Sequence, residues 1–202
     1  MNAKLFGEAL VTLFVIVDPP GSVPIFLALT RSLDFRARTR AAWQAVALSF
    51  GVIVVFAVAG GQILSYLGIS LAAMQAAGGL LLLLVALELL TGKQGDPSAA
   101  GTSNVALVPL GTPLLAGPGA IVASIVFVRQ STGVFDYVAI GTAIVVVHLV
   151  IFAFLRFSNV IVRVLRQGGI EVVTRISGLL VAAIAVQLVA DAVARFVRGY
   201  TG

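Results

Sequence analysis

The sequence predicts an all-α membrane protein, with six transmembrane helices forming two inverted three-helix repeats and helices 1 and 4 broken in midspan. Three observations predict this. Of 202 residues, 60% are hydrophobic and only 10% charged, and the mean hydropathy is +1.13. Soluble domains carry about 45–50% apolar and roughly 25% charged residues, so this chain cannot cover a globular surface in water. Six apolar runs can be drawn along it, each near the roughly 20 residues that one helical crossing takes. The first and fourth runs are interrupted at the same place, by Val17-Asp18-Pro19-Pro20-Gly21-Ser22-Val23-Pro24 and by Pro113-Leu114-Leu115-Ala116-Gly117-Pro118-Gly119. Aligning Pro20-Gly21 on Pro118-Gly119, 98 residues apart, puts both breaks midway along their runs, and both runs end in arginine, Arg31 and Arg129.

The runs occupy residues 5–29, 42–66, 71–90, 105–128, 135–157 and 176–197. The first begins like a faint secretory signal around Lys4. Glu8 lies inside it, no small-x-small cleavage site follows and Asp18-Pro19-Pro20 interrupts it, so an uncleaved span is expected. The second and third are continuous. Their small residues recur at helical spacing, as in Gly51, Ala57 and Gly61 or Ala72, Ala76 and Gly79, which suits close helix contact in lipid. A polar stretch at 92–104, with Lys93, Asp96 and Pro97, reads as a linker. It divides a single membrane domain of residues 1–202 into a first repeat of about 5–91 and a second of about 105–198. The third and sixth runs also match, Gly79 to Leu89 on Gly178 to Leu188, with Glu88 falling on Gln187. Three crossings per half means that the second half enters the membrane from the other side, so halves sharing a fold are inverted repeats.

Lys and Arg set the orientation. Connectors one, three and five carry Arg31, Arg36, Arg38, Arg40, Lys93, Arg156, Arg163, Arg166 and Arg175, while Lys4, Arg129, Arg195 and Arg198 fall on the other side. The positive-inside rule puts the odd connectors in the cytoplasm and both termini outside it.

A helix broken inside lipid frees backbone groups that water cannot reach, so the break must face protein or a wet cavity. Matched Gly/Pro interruptions in two halves are the best sequence pointer to a transporter's binding site. The expected substrate site therefore comprises Asp18, Pro19, Gly21, Ser22 and Pro24 from the first break and Thr112, Ala116, Gly117, Pro118 and Gly119 from the second. Asp18 stands out, because a carboxylate near the bilayer centre costs roughly 2.5–3.5 kcal/mol on insertion scales. It can bind a proton or cation, or it can simply cap the half-helix that follows. Helix N-termini attract a substrate carboxylate and freed carbonyls suit an ammonium, so a zwitterionic amino acid would satisfy both. Glu88 and His148 join Asp18 as candidates for proton coupling. Glu88 also fits a hydrated interface, and a lone histidine also fits a hydrogen-bonded packing role. Gln187 and Asn104 are further neutral polar candidates.

Other chemistries lack residues. There is no cysteine, and a single histidine gives no metal cluster. Neither a phosphate-binding Gly-x-x-x-x-Gly-Lys-Ser/Thr loop nor Gly-x-Ser-x-Gly or His-Glu-x-x-His occurs, so neither an enzyme nor a cofactor is expected. The net charge of +5 comes from residues at the ends of apolar runs, where they meet lipid head groups rather than nucleic acid.

The segment Val15-Ile16-Val17-Asp18-Pro19-Pro20-Gly21-Ser22-Val23-Pro24-Ile25-Phe26 resembles the first-span motif of the MarC family of bacterial inner-membrane proteins. Pro113 to Ile121 resembles its fourth-span motif, and Arg175 to Gln187 its last span; the three stand in the family's order. The resemblance implies six transmembrane helices, a relation to LysE-type exporters and a bacterial plasma-membrane location, with some members moving small neutral amino acids such as glycine and alanine. Pro20 departs from the aliphatic residue the family more often has there, and Glu88 is not expected from its pattern. The expected function is secondary transport of a small solute, with a non-transporting scaffold or a passive channel as alternatives. Homo-oligomerisation is open.

Overall fold

The computed structural model describes residues 2–92 and 115–201, and these form seven helices. They are α1 (Ala3–Val17), α2 (Pro19–Leu29), α3 (Phe35–Tyr66), α4 (Leu71–Thr91), α5 (Pro118–Gln130), α6 (Val134–Arg156) and α7 (Ser158–Thr201). Five stretches are long and apolar enough to cross a membrane: Ala3–Leu29, which joins α1 and α2, then α3, α4, α6 and the Gly168–Arg198 part of α7. α5 is a shorter apolar helix of 13 residues. The beginning of the expected fourth span, the linker at 92–104 from Lys93 onward, Asn104 and Thr112 lie outside the described residues.

Two expected connectors are helical instead. α3 starts at Phe35 rather than 42, because the Asp34 side chain accepts from the Ala37 N–H at 2.8 Å and caps the helix ahead of its apolar part. Its first turns carry Arg36, Arg38 and Arg40, so the helix projects past the apolar run. Likewise 158–175 is helix, interrupted only at Arg166, whose φ of 54° and ψ of 172° leave the helical region. An Arg175–Glu171 pair at 2.5 Å, one turn apart, supports the segment beyond that kink.

α3 and α6 run antiparallel. Arg156 stacks on Phe35 at 4.3 Å, Trp43 meets Phe152 edge-on and Ser49 meets His148. The arginine-rich start of α3 and the end of α6 therefore share one end of the bundle. At the other end, Asn2 donates to Asp136 at 3.0 Å and ties the N-terminus to the first turn of α6. This is the arrangement that alternating crossings require.

Helix partners come in matching sets. α2 packs on α6 and α7, and α5 packs on α3 and α4. α4 and α7 lie along one another, also antiparallel, and here two glycines let the backbones approach. A Cβ on Gly79 would meet Ala185, Leu188 and Val189; a Cβ on Gly178 would meet Ala86, Leu89 and Leu90. Each residue of the first trio lies 99 positions after its counterpart in the second. The helix starts Pro19 and Pro118, and Phe35 and Val134, keep that same spacing. The helix starts thus recur at a spacing of 99 rather than 98, which pairs Pro19, and not Pro20, with Pro118. The Pro-Gly dipeptide shifts a sequence alignment by one, whereas helix starts fix it.

The outward surface is apolar. Val58, Leu84, Leu149, Leu179 and Val186 are all more than half exposed. In water such a surface would drive association; in lipid it is the required covering.

Candidate functional site

At the first break, three prolines remove donors. Pro19 and Pro20 have no N–H to give the carbonyls of Val15 and Ile16, so α1 ends with acceptors unserved by its own ladder. Asp18 joins the helices at φ 45°, in the left-handed region that Asp tolerates better than most residues. Its N–H donates to Phe14 O at 3.1 Å, and its carbonyl accepts from both the Ser22 N–H and the Ser22 hydroxyl at 3.0 Å. Because α2 begins with two prolines, the Gly21 N–H is the one amide of its first turn left without a helical partner.

The Asp18 carboxylate folds back over that amide. A Cβ on Gly21 would lie 2.0 Å from Asp18 Oδ2 and 3.0 Å from Thr174 Oγ1, so glycine is what leaves room for the carboxylate. Asp18 is 5% exposed. The Ser177 side chain and the Gly21 amide face it, yet neither carboxylate oxygen accepts a well-formed hydrogen bond. It also has no ion-pair partner among the described residues. A buried acceptor left in this condition costs about 1–3 kcal/mol, and more when charged.

The second break has opposite chemistry. Gly117 caps α5 with no side chain to offer, Pro118 opens the helix, and the amides of Ala120 and Ile121 both turn to Gly117 O. That leaves the Gly119 N–H at an uncapped helix N-terminus, where the dipole favours negative charge. The two breaks adjoin: a Cβ on Gly119 would lie 3.3 Å from Ile16 Cγ2 and 2.1 Å from Leu82 Cδ2. So the acceptor-rich end of α1 and the donor end of α5 meet across bare glycine, under the side chain of Leu82.

Asp18, Pro19, Gly21, Ser22, Ala116 and Gly119 are buried together at these breaks. Gly117 is partly exposed, while Pro24 and Pro118 turn outward. The two coupling candidates other than Asp18 stand elsewhere. Glu88 is on the exposed face of the last turn of α4. His148 is buried between α3 and α6, with Nδ1 2.7 Å from Ile144 O and Nε2 3.3 Å from Ser49 Oγ. A carbonyl only accepts, so Nδ1 carries the proton and Nε2 takes the Ser49 hydroxyl. Gln187 is exposed and donates to Asp191 at 2.9 Å.

Sequence reading missed Thr174 and Ser177 of α7, which approach the first break. Their spacing of three, which puts both on one helix face, was the available signal. It also missed Gln75 on α4, fully buried with both amide atoms unpartnered.

A family profile described as "MarC family integral membrane protein" matches residues 3–197. UPF0056 membrane protein MJ1677 of Methanocaldococcus jannaschii is 35% identical, covering 96% of this chain and 98% of its own. A UPF0056 membrane protein of Archaeoglobus fulgidus is 33% identical over 95% and 93%. UPF0056 membrane protein YhcE of Escherichia coli is 32% identical over 92% and 90%. No solved structure matches. With broken apolar helices and a near full-length match, the chain belongs to the MarC family of integral membrane proteins.

Proposed function

We propose that this protein is a secondary transporter of small neutral amino acids in a bacterial inner membrane, built from two inverted three-helix repeats. The repeat reading is supported by the common 99-residue register and by the reciprocal packing around Gly79 and Gly178. One observation carries the transport reading: a buried, unpartnered Asp18 ends α1, and Ile16 in the last turn of α1 packs against Gly119 at the uncapped N-terminus of α5. An ammonium group suits Asp18, the α1 carbonyls and the hydroxyls of Ser177 and Thr174. A carboxylate suits the start of α5. An amino acid supplies both charges within one small body, and no catalytic step is required of the chain.

Coupling follows from competition. A proton and a ligand ammonium are alternative ways to satisfy the same carboxylate, so binding one disfavours the other. Asp18 is buried, so a solute reaches it when one repeat rocks against the other. With both termini outside the cytoplasm, the arginine-rich ends of α3 and α6 face inward.

The test is flux of labelled glycine and alanine into proteoliposomes under an imposed pH gradient. Saturable uptake that collapses with the gradient is expected. Flux that never saturates and cannot run uphill would replace the transporter with a channel. No flux of any small amino acid from folded protein would favour a scaffold.

A further inference from the structure

Away from the breaks, a cleft opens between the end of α3, the end of α5 and the start of α6. Two adjoining hollows of about 480 and 390 Å³ share Ala57, Val58, Val128 and Tyr137 as walls. The inner part is apolar, with Val54, Ile140, Gly141 and Ile144. The mouth carries Arg129, Gln62 and Tyr137. None of these three side chains makes a hydrogen bond or ion pair among the described residues, and no acidic side chain lines either hollow. Asp136, next to Tyr137 in the chain, is committed to Asn2 and Thr132.

The arginine is held in position. Its stem crosses α3 at Gly61, where a Cβ would lie 2.9 Å from Arg129 Cδ. It also sits in the last turn of α5, where a cation is favoured by the helix dipole. A fixed guanidinium with two neutral donors recognises a phosphate diester. The apolar hollow beneath them takes a hydrocarbon chain, and the connector next to them belongs at the membrane boundary. We propose that this cleft binds one anionic phospholipid of the surrounding membrane, with its phosphate on Arg129 and an acyl chain against Val54 and Ile144. The site is separate from the amino acid site and does not depend on it.

The experiment uses the purified full-length chain in detergent, titrated with phosphatidylglycerol, phosphatidylcholine or inorganic phosphate. Native mass spectrometry counts retained lipid and thermal unfolding reports stabilisation. One retained phosphatidylglycerol is expected, with at least tenfold weaker retention of phosphatidylcholine and no effect of phosphate alone. Arg129→Gln and Gly61→Leu should each remove the preference, and Arg31→Gln, at the other end of the bundle, should keep it. Equal retention of the two lipids, or a preference that survives in Arg129→Gln, overturns the proposal. Stabilisation by inorganic phosphate alone overturns it in favour of a soluble anion. If both cleft variants fail to fold, the comparison of ligands on the unaltered protein still decides.

Discussion

Replacing Gly79 by Ala tests the α4–α7 packing directly. The added methyl would stand 2.7 Å from Val189 Cγ2 and 2.8 Å from the backbone oxygen of Ala185. Optimal carbon contacts are about 3.5–4.0 Å, so the shortfall is ~1 Å. Valine is stiff at χ1 and a backbone carbonyl cannot rotate aside, so α7 itself must retreat. Overpacking of this kind costs about 1–3 kcal/mol, against a helix-propensity gain of roughly 1 kcal/mol for Gly→Ala. At Gly178 the closest atoms are Leu89 Cβ at 2.9 Å and Leu90 Cγ at 3.2 Å, with Ala86 O at 3.3 Å, so the smaller intrusion should be close to balanced. The double variant should lose less than the sum, since separating the helices once makes room for both methyls. Gly51→Ala and Gly141→Ala, with nothing within 4 Å of the new methyl, serve as controls that gain only the propensity term. Thermal unfolding in detergent reads the result, at about 2–4 °C per kcal/mol for a chain of this size. If Gly79→Ala melts with Gly51→Ala rather than below it, the close approach is wrong.

Asp18→Asn should lower the initial transport rate at least tenfold, while Glu88→Gln, on an exposed face, leaves it within twofold; equal rates for Asp18→Asn and unmutated protein would remove Asp18 from the mechanism. Gly21→Ala keeps the acid but puts a methyl 2.0 Å from its Oδ2, so transport should fall as in Asp18→Asn if position matters and survive if only the charge does. His148→Leu leaves the Ser49 hydroxyl without its ring partner and should cost about 1–2 kcal/mol in unfolding. Adding Ser49→Ala should recover most of that cost, and the pH profile of transport should not change.

The breaks were legible because proline and glycine act on the backbone of their own segment. Asp18-Pro19-Pro20-Gly21 must interrupt a helix wherever it falls, and α1 and α2 part at Asp18 as expected. The residues that approach it from outside were not legible in the same way. Thr174 and Ser177 reach the first break only because α2 packs on α7, and that pairing is a tertiary fact. Glu88 and His148 drew notice for their chemistry, since ionisable groups in apolar runs are costly. Composition could not tell an exposed helix end from a buried hydrogen-bonded ring. The start of α3 shows the converse limit. Hydropathy marks where lipid begins, whereas the helix begins at its cap, Asp34.

The shared register sharpens what the two breaks have in common and what they do not. Asp18 and Gly117 occupy the same cap position, each followed by proline at the first helical residue. The proline defines the backbone break in both halves. The cap residue then assigns polarity: an acid at one, and nothing at the other. Had both halves kept Asp, carboxylates at the two adjoining breaks would repel. Had both kept Gly, no buried carboxylate would be there to meet an ammonium. In the proposed site, one acid and one bare terminus give a dipolar arrangement, which would orient a zwitterion rather than merely hold it. In the proposed transporter, duplication supplies the frame for alternating access, and the difference between Asp18 and Gly117 supplies the polarity that recognition uses.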